Sequence, residues 1–162
     1  MQGIHPMLWF DGQAEEAANF YVSIFDNSRI ASIARVPEGS PPQAGQAGAV
    51  LVIDIEVAGH RFSLLNGGPQ FKFNEAVSFV VGCETQDEVD RYWDALLADG
   101  GEPSACGWLK DKFGVSWQIT PTVMEKYLTE LGNSKKSAAA FAAMMHMVKL
   151  DIAELERAYN EA

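Results

Sequence analysis

Cysteine is scarce in this chain of 162 residues: Cys83 and Cys106 are all it has. The N-terminus MQGIHPMLWF lacks a basic n-region leading into an apolar h-region, so the two thiols read as free groups in a reducing, cytoplasmic setting rather than as a disulfide framework. Long apolar runs are missing too, and nothing approaches the roughly 18 residues needed to cross a bilayer. Basic residues are few, 12 Lys and Arg against 22 Asp and Glu. The resulting net charge of −10 repels phosphate backbones and anionic membrane surfaces, which excludes nucleic acid and membrane as partners. No GxGxxG follows a strand and there is no P-loop, so no dinucleotide or adenosylmethionine site is read and no cofactor is assigned. What the chain does have is apolar content, 48% of its residues. That is enough to fill one compact domain, or two small modules sharing a core.

The patterning repeats itself. IHPMLWF (4–10) reads as a strand running into the turn signal Asp11-Gly12. Ala14, Ala17, Ala18, Tyr21 and Phe25 then recur at helical spacing, which predicts a helix over 13–25. SRIASIARV (28–36) is a second strand, PEGSPPQAGQAG (37–48) a loop, and AVLVIDIEV (49–57) and HRFSLLN (60–66) a hairpin joined at Ala58-Gly59 with one face exposed. After the break NGGP (66–69) the order starts again. EAVSFVVGC (75–83) is β-rich, and Thr85 with Glu88 forms a capping-box pair ahead of the stripe Val89, Tyr92, Trp93, Leu96, Leu97. Short strand candidates at 103–105 and 107–110 and the strand GVSWQIT (114–120) complete the set. The predicted fold class is α+β: paired βαβββ modules, about 4–66 and 75–120, forming one curved mixed sheet around a cleft within a single domain 1–121.

A helical extension, 122–162, follows. TVMEKYLTELG (122–132) ends at a glycine; Ser134 caps a run carrying Ala138, Phe141, Ala142, Met145 and Val148, and Asp151 caps a last helix with Ile152, Leu155 and Tyr159 on one face. These apolar faces need burial, which points to core or to a subunit interface.

Three stretches carry a family resemblance: PMLWFDGQAEEAANFYVSIF, LLNGGPQFKFNEAVSF and CGWLKDKFGVSWQITP. Together they resemble the PhnB-like branch of the glyoxalase/bleomycin-resistance (vicinal oxygen chelate) superfamily, a branch often labelled 3-demethylubiquinone methyltransferase-like. The resemblance runs through about residues 4–121 and implies paired modules around a cleft, commonly in a homodimer. In the metal-dependent members, it implies four ligands from the first and last strand of each module, the last being a Glu at the position of Gln118. Here the matching set is Pro6, a residue near Leu64 to Asn66, Ser78 and Gln118. Proline cannot ligate, and neutral amides and hydroxyls are weak donors for a divalent transition metal, so no metal is assigned. His5 is one residue out of register, which in a strand turns it to the opposite face. His60 and His146 read as solvated or structural histidines, Cys83 as a packing residue, and Cys106 as a structural thiol because no histidine is placed to activate it.

What remains is a small-molecule site made of Asn66, Ser78 and Gln118, with Phe71, Phe73 and Trp108 closing over a planar ligand. The function expected is metal-independent small-molecule binding. The alternative is an enzyme of the same superfamily acting on a small oxygenated or quinone-like metabolite, with Gln118, Asn66 and Ser78 orienting a carbonyl.

Overall fold

The structure, a computed structural model, describes residues 3–162. The chain divides into two compact units, Met1–Phe73 and Asn74–Ala162, the second of which includes the helical tail. In the first unit β1 (Met7–Phe10) is followed by helix α1 (Ala14–Ile24), β2 (Arg29–Arg35), β3 (Val50–Val57) and β4 (His60–Asn66). In the second, β5 (Ser78–Cys83) is followed by α2 (Gln86–Leu97), β6 (Glu102–Pro103), β7 (Trp108–Lys110) and β8 (Ser116–Pro121). The paired βαβββ modules are therefore present, and the class is α+β. The strands form two four-stranded mixed sheets of the same order, β1-β4-β3-β2 and β5-β8-β7-β6, in each of which the first and last strands pair in parallel.

Each sheet is covered on one face by its helix. Ala14, Ala17, Ala18, Tyr21 and Phe25 are all buried, and the strand residues facing them are Leu8, Phe10, Ile53, Ile55, Val57 and Leu64. In the second unit Val89, Trp93 and Leu96 of α2 cover Leu109, Trp117 and Ile119. The two helices start differently. The Thr85 side chain accepts from Glu88 N–H, and Glu88 reaches back to the Thr85 N–H, as the sequence predicts. Gln13 offers no such cap to α1; the Asn66 carboxamide, from the end of β4, accepts from the Ala14 N–H at 2.9 Å instead.

The LNGGP break is a seat for an aromatic ring. A Cβ on Gly67 would lie 2.2 Å from the indole of Trp9, and the Trp9 Nε1–H donates to the Gly68 carbonyl at 2.8 Å. Gly67 and Gly68 N–H both donate to the Phe10 carbonyl, so the segment is fastened to β1 at each step. The KDKFG turn is equally structural. Asp111 is 3% exposed, and its carboxylate accepts from the N–H groups of Phe113 (2.9 Å) and Val115 (3.0 Å) and from the indole N–H of Trp117 (2.9 Å). Three donors offset the cost of burying this charge.

The tail comprises α3 (Val123–Thr129), α4 (Lys135–Met144) and α5 (Ile152–Glu161), with Ser134 and Asp151 capping as expected. Met124, Tyr127, Ala140, Met147, Leu150 and Leu155 make a small core of their own. The stripe expected on α4 is out of phase: Ser137 and Ala140 are buried, while Met145 and Val148 are 53% and 52% exposed. An alanine at nearly every position of 138–143 carries no phase, so the buried face is set by the partners and not by the repeat. The tail also closes on the module before it. Cys106 and Gly107 N–H donate to the Met147 and Val148 carbonyls, and the Gln86 carboxamide donates to the Leu150 carbonyl and accepts from Ile152 N–H. Among the described residues no helix is long and apolar enough to cross a membrane.

Replacing Asp111 with Ala removes a charged acceptor from three donors and should lower stability by on the order of 3 kcal/mol. Urea denaturation will show this as a lower midpoint, with Asp111→Asn, which keeps one carbonyl acceptor, in between. A midpoint equal to that of the parent would mean that the carboxylate does not hold the turn.

Candidate functional site

The six residues expected to bind a ligand fall three and three between the units. In the second unit the ladder itself brings Ser78, Trp108 and Gln118 together. Strand β8 pairs with β5 and β7, so Val80, Gln118 and Trp108 lie side by side across the sheet; in the next row Ser78, Ser116, Lys110 and Glu102 lie across all four strands. Alternation sends Trp117 and Ile119 to α2 and leaves both rows on the opposite face. There the Gln118 Nε2–H donates to the Ser78 hydroxyl oxygen at 2.9 Å. Val80 is 63% exposed on the same face.

Close to this pair is a cavity of about 140 Å³, walled by Glu75, Glu102, Trp108, Lys110 and Ser116 with Pro103, Ser104 and Leu109. The Lys110 ammonium is paired with the Glu75 carboxylate. That contact lowers the Glu75 carboxyl and raises the Lys110 ammonium from their ordinary values, through the hydrogen bond first and the charge second. Ser116 is 1% exposed, and its hydroxyl has no hydrogen-bond partner among the described residues.

In the first unit the three expected residues serve the fold. Asn66 lies on the α1 side of its sheet; besides accepting from Ala14, its amide donates to the Val50 carbonyl at 3.0 Å. It also lines a larger cavity, about 580 Å³, walled by Glu15, Arg35, Gln70 and residues of the 37–48 loop. Phe71 meets Trp9 edge-on at 5.0 Å, and Phe73 meets Phe10 at 5.2 Å, so both rings are packed on β1.

Sequence reading did not find the polar chain on the open face of the first sheet. His5 was expected opposite the ligand face, but its Nε2 lies 3.0 Å from the Ser63 hydroxyl oxygen, on the face away from α1. The Ser63 hydroxyl donates to Asp54 at 2.5 Å, and Ser32 and Arg61 donate to the other Asp54 oxygen at 3.1 and 3.0 Å. Since the carboxylate only accepts, Ser63 must spend its proton on it and offer His5 a lone pair. The neutral His5 ring therefore carries its proton on Nε2. The register error has a simple cause, because Pro6 gives its carbonyl to the Ser63 N–H and leaves His5 beside the Ser63 side chain. Asp-x-x-x-x-x-x-x-x-Ser across a tight hairpin is the signal that could have found it, as Asp54 and Ser63 are cross-strand neighbours.

Cys83 offers no nucleophile. Burial pushes the Cys83 thiol up to about 11, with Glu88 adding to it, so no thiolate forms there near neutral pH. The Cys106 sulfur lies 3.8 Å from that of Met145. As to a metal, no three His, Cys, Asp or Glu side chains converge among the described residues. Within the second unit Gln118 and Ser78, bonded to each other, are neutral donors that do not by themselves fit a divalent transition metal.

Residues 2–120 match the family model described as 3-demethylubiquinone-9 3-methyltransferase. Among solved structures, the PhnB protein from Bacillus cereus is 38% identical, covering 75% of this chain and 100% of that one, with a TM-score of 0.66. A Pseudomonas aeruginosa protein shares the fold at 20% identity over 75% and 98% of the two chains, with a TM-score of 0.57. The fosfomycin resistance protein FosX from Listeria monocytogenes, solved with Mn(II) and sulfate, does so at 14% identity over 81% and 98%, with a TM-score of 0.55. No curated protein matches the chain.

The Ser63 hydrogen bond, with help from Ser32 and Arg61, holds the Asp54 carboxyl below its ordinary value against the opposing effect of burial. A depressed folded pKa stabilises the fold fully above the unfolded value, about 3.9, and that contribution fades as pH falls from there through the folded pKa. Denaturation midpoints of the parent and Asp54→Asn should therefore differ at pH 6 to 7 and converge below about pH 4. A gap that persists unchanged at low pH would assign the effect of the substitution to something other than the charge.

Proposed function

The chain belongs to the family described as 3-demethylubiquinone-9 3-methyltransferase, the PhnB-like branch of the glyoxalase/bleomycin-resistance superfamily, and on that premise we propose that it binds a small molecule without a divalent metal. The observation that carries this reading is the Gln118 to Ser78 hydrogen bond. It orients the carboxamide, so that Gln118 Oε1 presents an acceptor and Ser78, having accepted, keeps its hydroxyl proton to donate. An acceptor and a donor side by side, flanked by Trp108 and the exposed Val80, suit a planar ligand that carries its own donor and acceptor. In the first unit, taken by itself, Asn66 keeps one N–H and one lone pair for the cavity it lines, and Phe71, 64% exposed, keeps an outer edge; we assign these to ligand contacts of that unit.

The geometry lends no support to methyl transfer. The helix N-termini that would meet a cofactor phosphate or carboxylate are occupied by the Asn66 and Thr85 side chains, and neither module has a glycine-rich turn opening its helix. Two free thiols, one buried, agree with a cytoplasmic location. We place the protein in a homodimer as well. The helical tail buries only part of its apolar surface within itself and leaves Leu128, Met145 and Val148 about half exposed; further support comes from the edge strand β2, where Ile33 is 41% exposed.

Two measurements check these readings. For any ligand found by ligand-observed NMR screening, Gln118→Ala should weaken binding by about 1 to 3 kcal/mol, the cost of one buried hydrogen bond, in titration calorimetry. Binding should be unchanged by chelator, and elemental analysis should find no stoichiometric metal; roughly one metal per chain, lost on His5→Ala, would restore a metal centre and sink this proposal. Light scattering at tens of micromolar, about the range where a specific interface holds, should return the mass of a dimer. A monomer there removes the assembly from the proposal.

A further inference from the structure

The cavity beside the Gln118 and Ser78 pair has a composition of its own. Its floor is Ser116, buried and without a hydrogen-bond partner among the described residues, in a region where such hydroxyls are almost always satisfied. Two carboxylates, Glu75 and Glu102, face one ammonium, Lys110, and Lys110 is already paired with Glu75. The wall therefore has a surplus of one negative charge, and it belongs to a chain whose net charge is −10. Trp108 supplies an aromatic wall, the side-chain type best suited to attract a cation by its π face. At about 140 Å³ the space admits a group of only a few non-hydrogen atoms.

We propose that this cavity is a subsite for a small organic ammonium group, held between Glu102 and Trp108, with an ammonium N–H donating to the orphan Ser116 hydroxyl oxygen. The proposal rests on the reading of this sheet face as the ligand face and adds the class of group that the ligand carries. A carboxylate ligand would meet the surplus negative charge of Glu75 and Glu102 over Lys110, and a neutral alcohol would forgo both the charge and the cation–π attraction. Gln118 does not line the cavity, so the two sites are separable by substitution.

The test follows the indole N–H resonance of Trp108 in ¹⁵N-labelled protein during titration with propylammonium chloride. Propanol and sodium propionate serve as controls of equal size, at constant ionic strength. Propylammonium should give a saturable shift with a Kd on the order of millimolar, as befits so few atoms, and the controls should not. Glu102→Gln, a change on the surface, should weaken the response at least about 5-fold, and Ser116→Ala, which deletes an unsatisfied hydroxyl without loss of stability, should weaken it as well. Gln118→Ala should leave it intact. Equal responses to propanol or propionate, or a response indifferent to both Glu102→Gln and Ser116→Ala, would overturn the ammonium subsite. If Gln118-dependent ligand binding persisted in that case, the proposed function would stand alone. A response abolished by Gln118→Ala would also overturn the subsite, because the group would then sit elsewhere on the face.

Discussion

The carboxylate of Asp111 is the contact on which the second module depends. It collects two backbone N–H donors from the turn between β7 and β8 and the indole N–H of Trp117 from β8, closing what would otherwise be a loose connection. With that turn closed, the register of the hairpin has no freedom, and register alone places Lys110 opposite Ser116 and Trp108 opposite Gln118. A slip of one residue would turn Gln118 onto α2 and bring the Trp117 indole to the open face. The chemistry that this face can perform is thus a consequence of one buried charge lying at the far end of the strand pair.

The two modules have the same strand order and the same helix cover, yet they present unlike open faces. The first carries a charged cluster whose hydrogen bonds converge on a carboxylate: His5 donates to Ser63, Ser63 donates to Asp54, and Arg61 donates to Asp54 from the other side. The second carries, beside the charged row of Lys110 and Glu102, a neutral amide and hydroxyl that leave each other partly unsatisfied. A saturated network resists new partners, and an unsaturated one invites them. That difference is why the ligand reading settles on the second module.

Much of the architecture was legible in the sequence because it is local. The α1 stripe at Ala14, Ala17, Ala18, Tyr21 and Phe25 is buried residue for residue, and the Thr85 and Glu88 box closes as its spacing says. What was not legible is what depends on partners far along the chain. Asn66 looks like a free amide until its role as the cap of a helix 52 residues earlier is seen. Phe71 and Phe73 look like mobile rim aromatics until Trp9 and Phe10 are placed beneath them. The signature DKFGVSWQ marks the family, but its Asp and its Trp are bonded to each other, so what those two residues build is a turn and not a reaction centre. His5 differs from expectation for a smaller reason: the family resemblance matches Pro6 to the ligand face, whereas Met7 pairs with Ser63 and alternation back from Met7 puts His5 on the open face.

The closure of the tail on the second module has a consequence for synthesis. The first unit completes its ladder with β4 and its aromatic packing with Phe73, so everything it needs has left the ribosome by then. The second cannot do the same, because the turn before β7 takes its carbonyls from Met147 and Val148, and the start of α2 takes its clasp from Leu150 and Ile152. During translation the nascent chain therefore carries one body complete in its own contacts and one whose turn before β7 and start of α2 stay unclasped until Met147 to Ile152 have emerged.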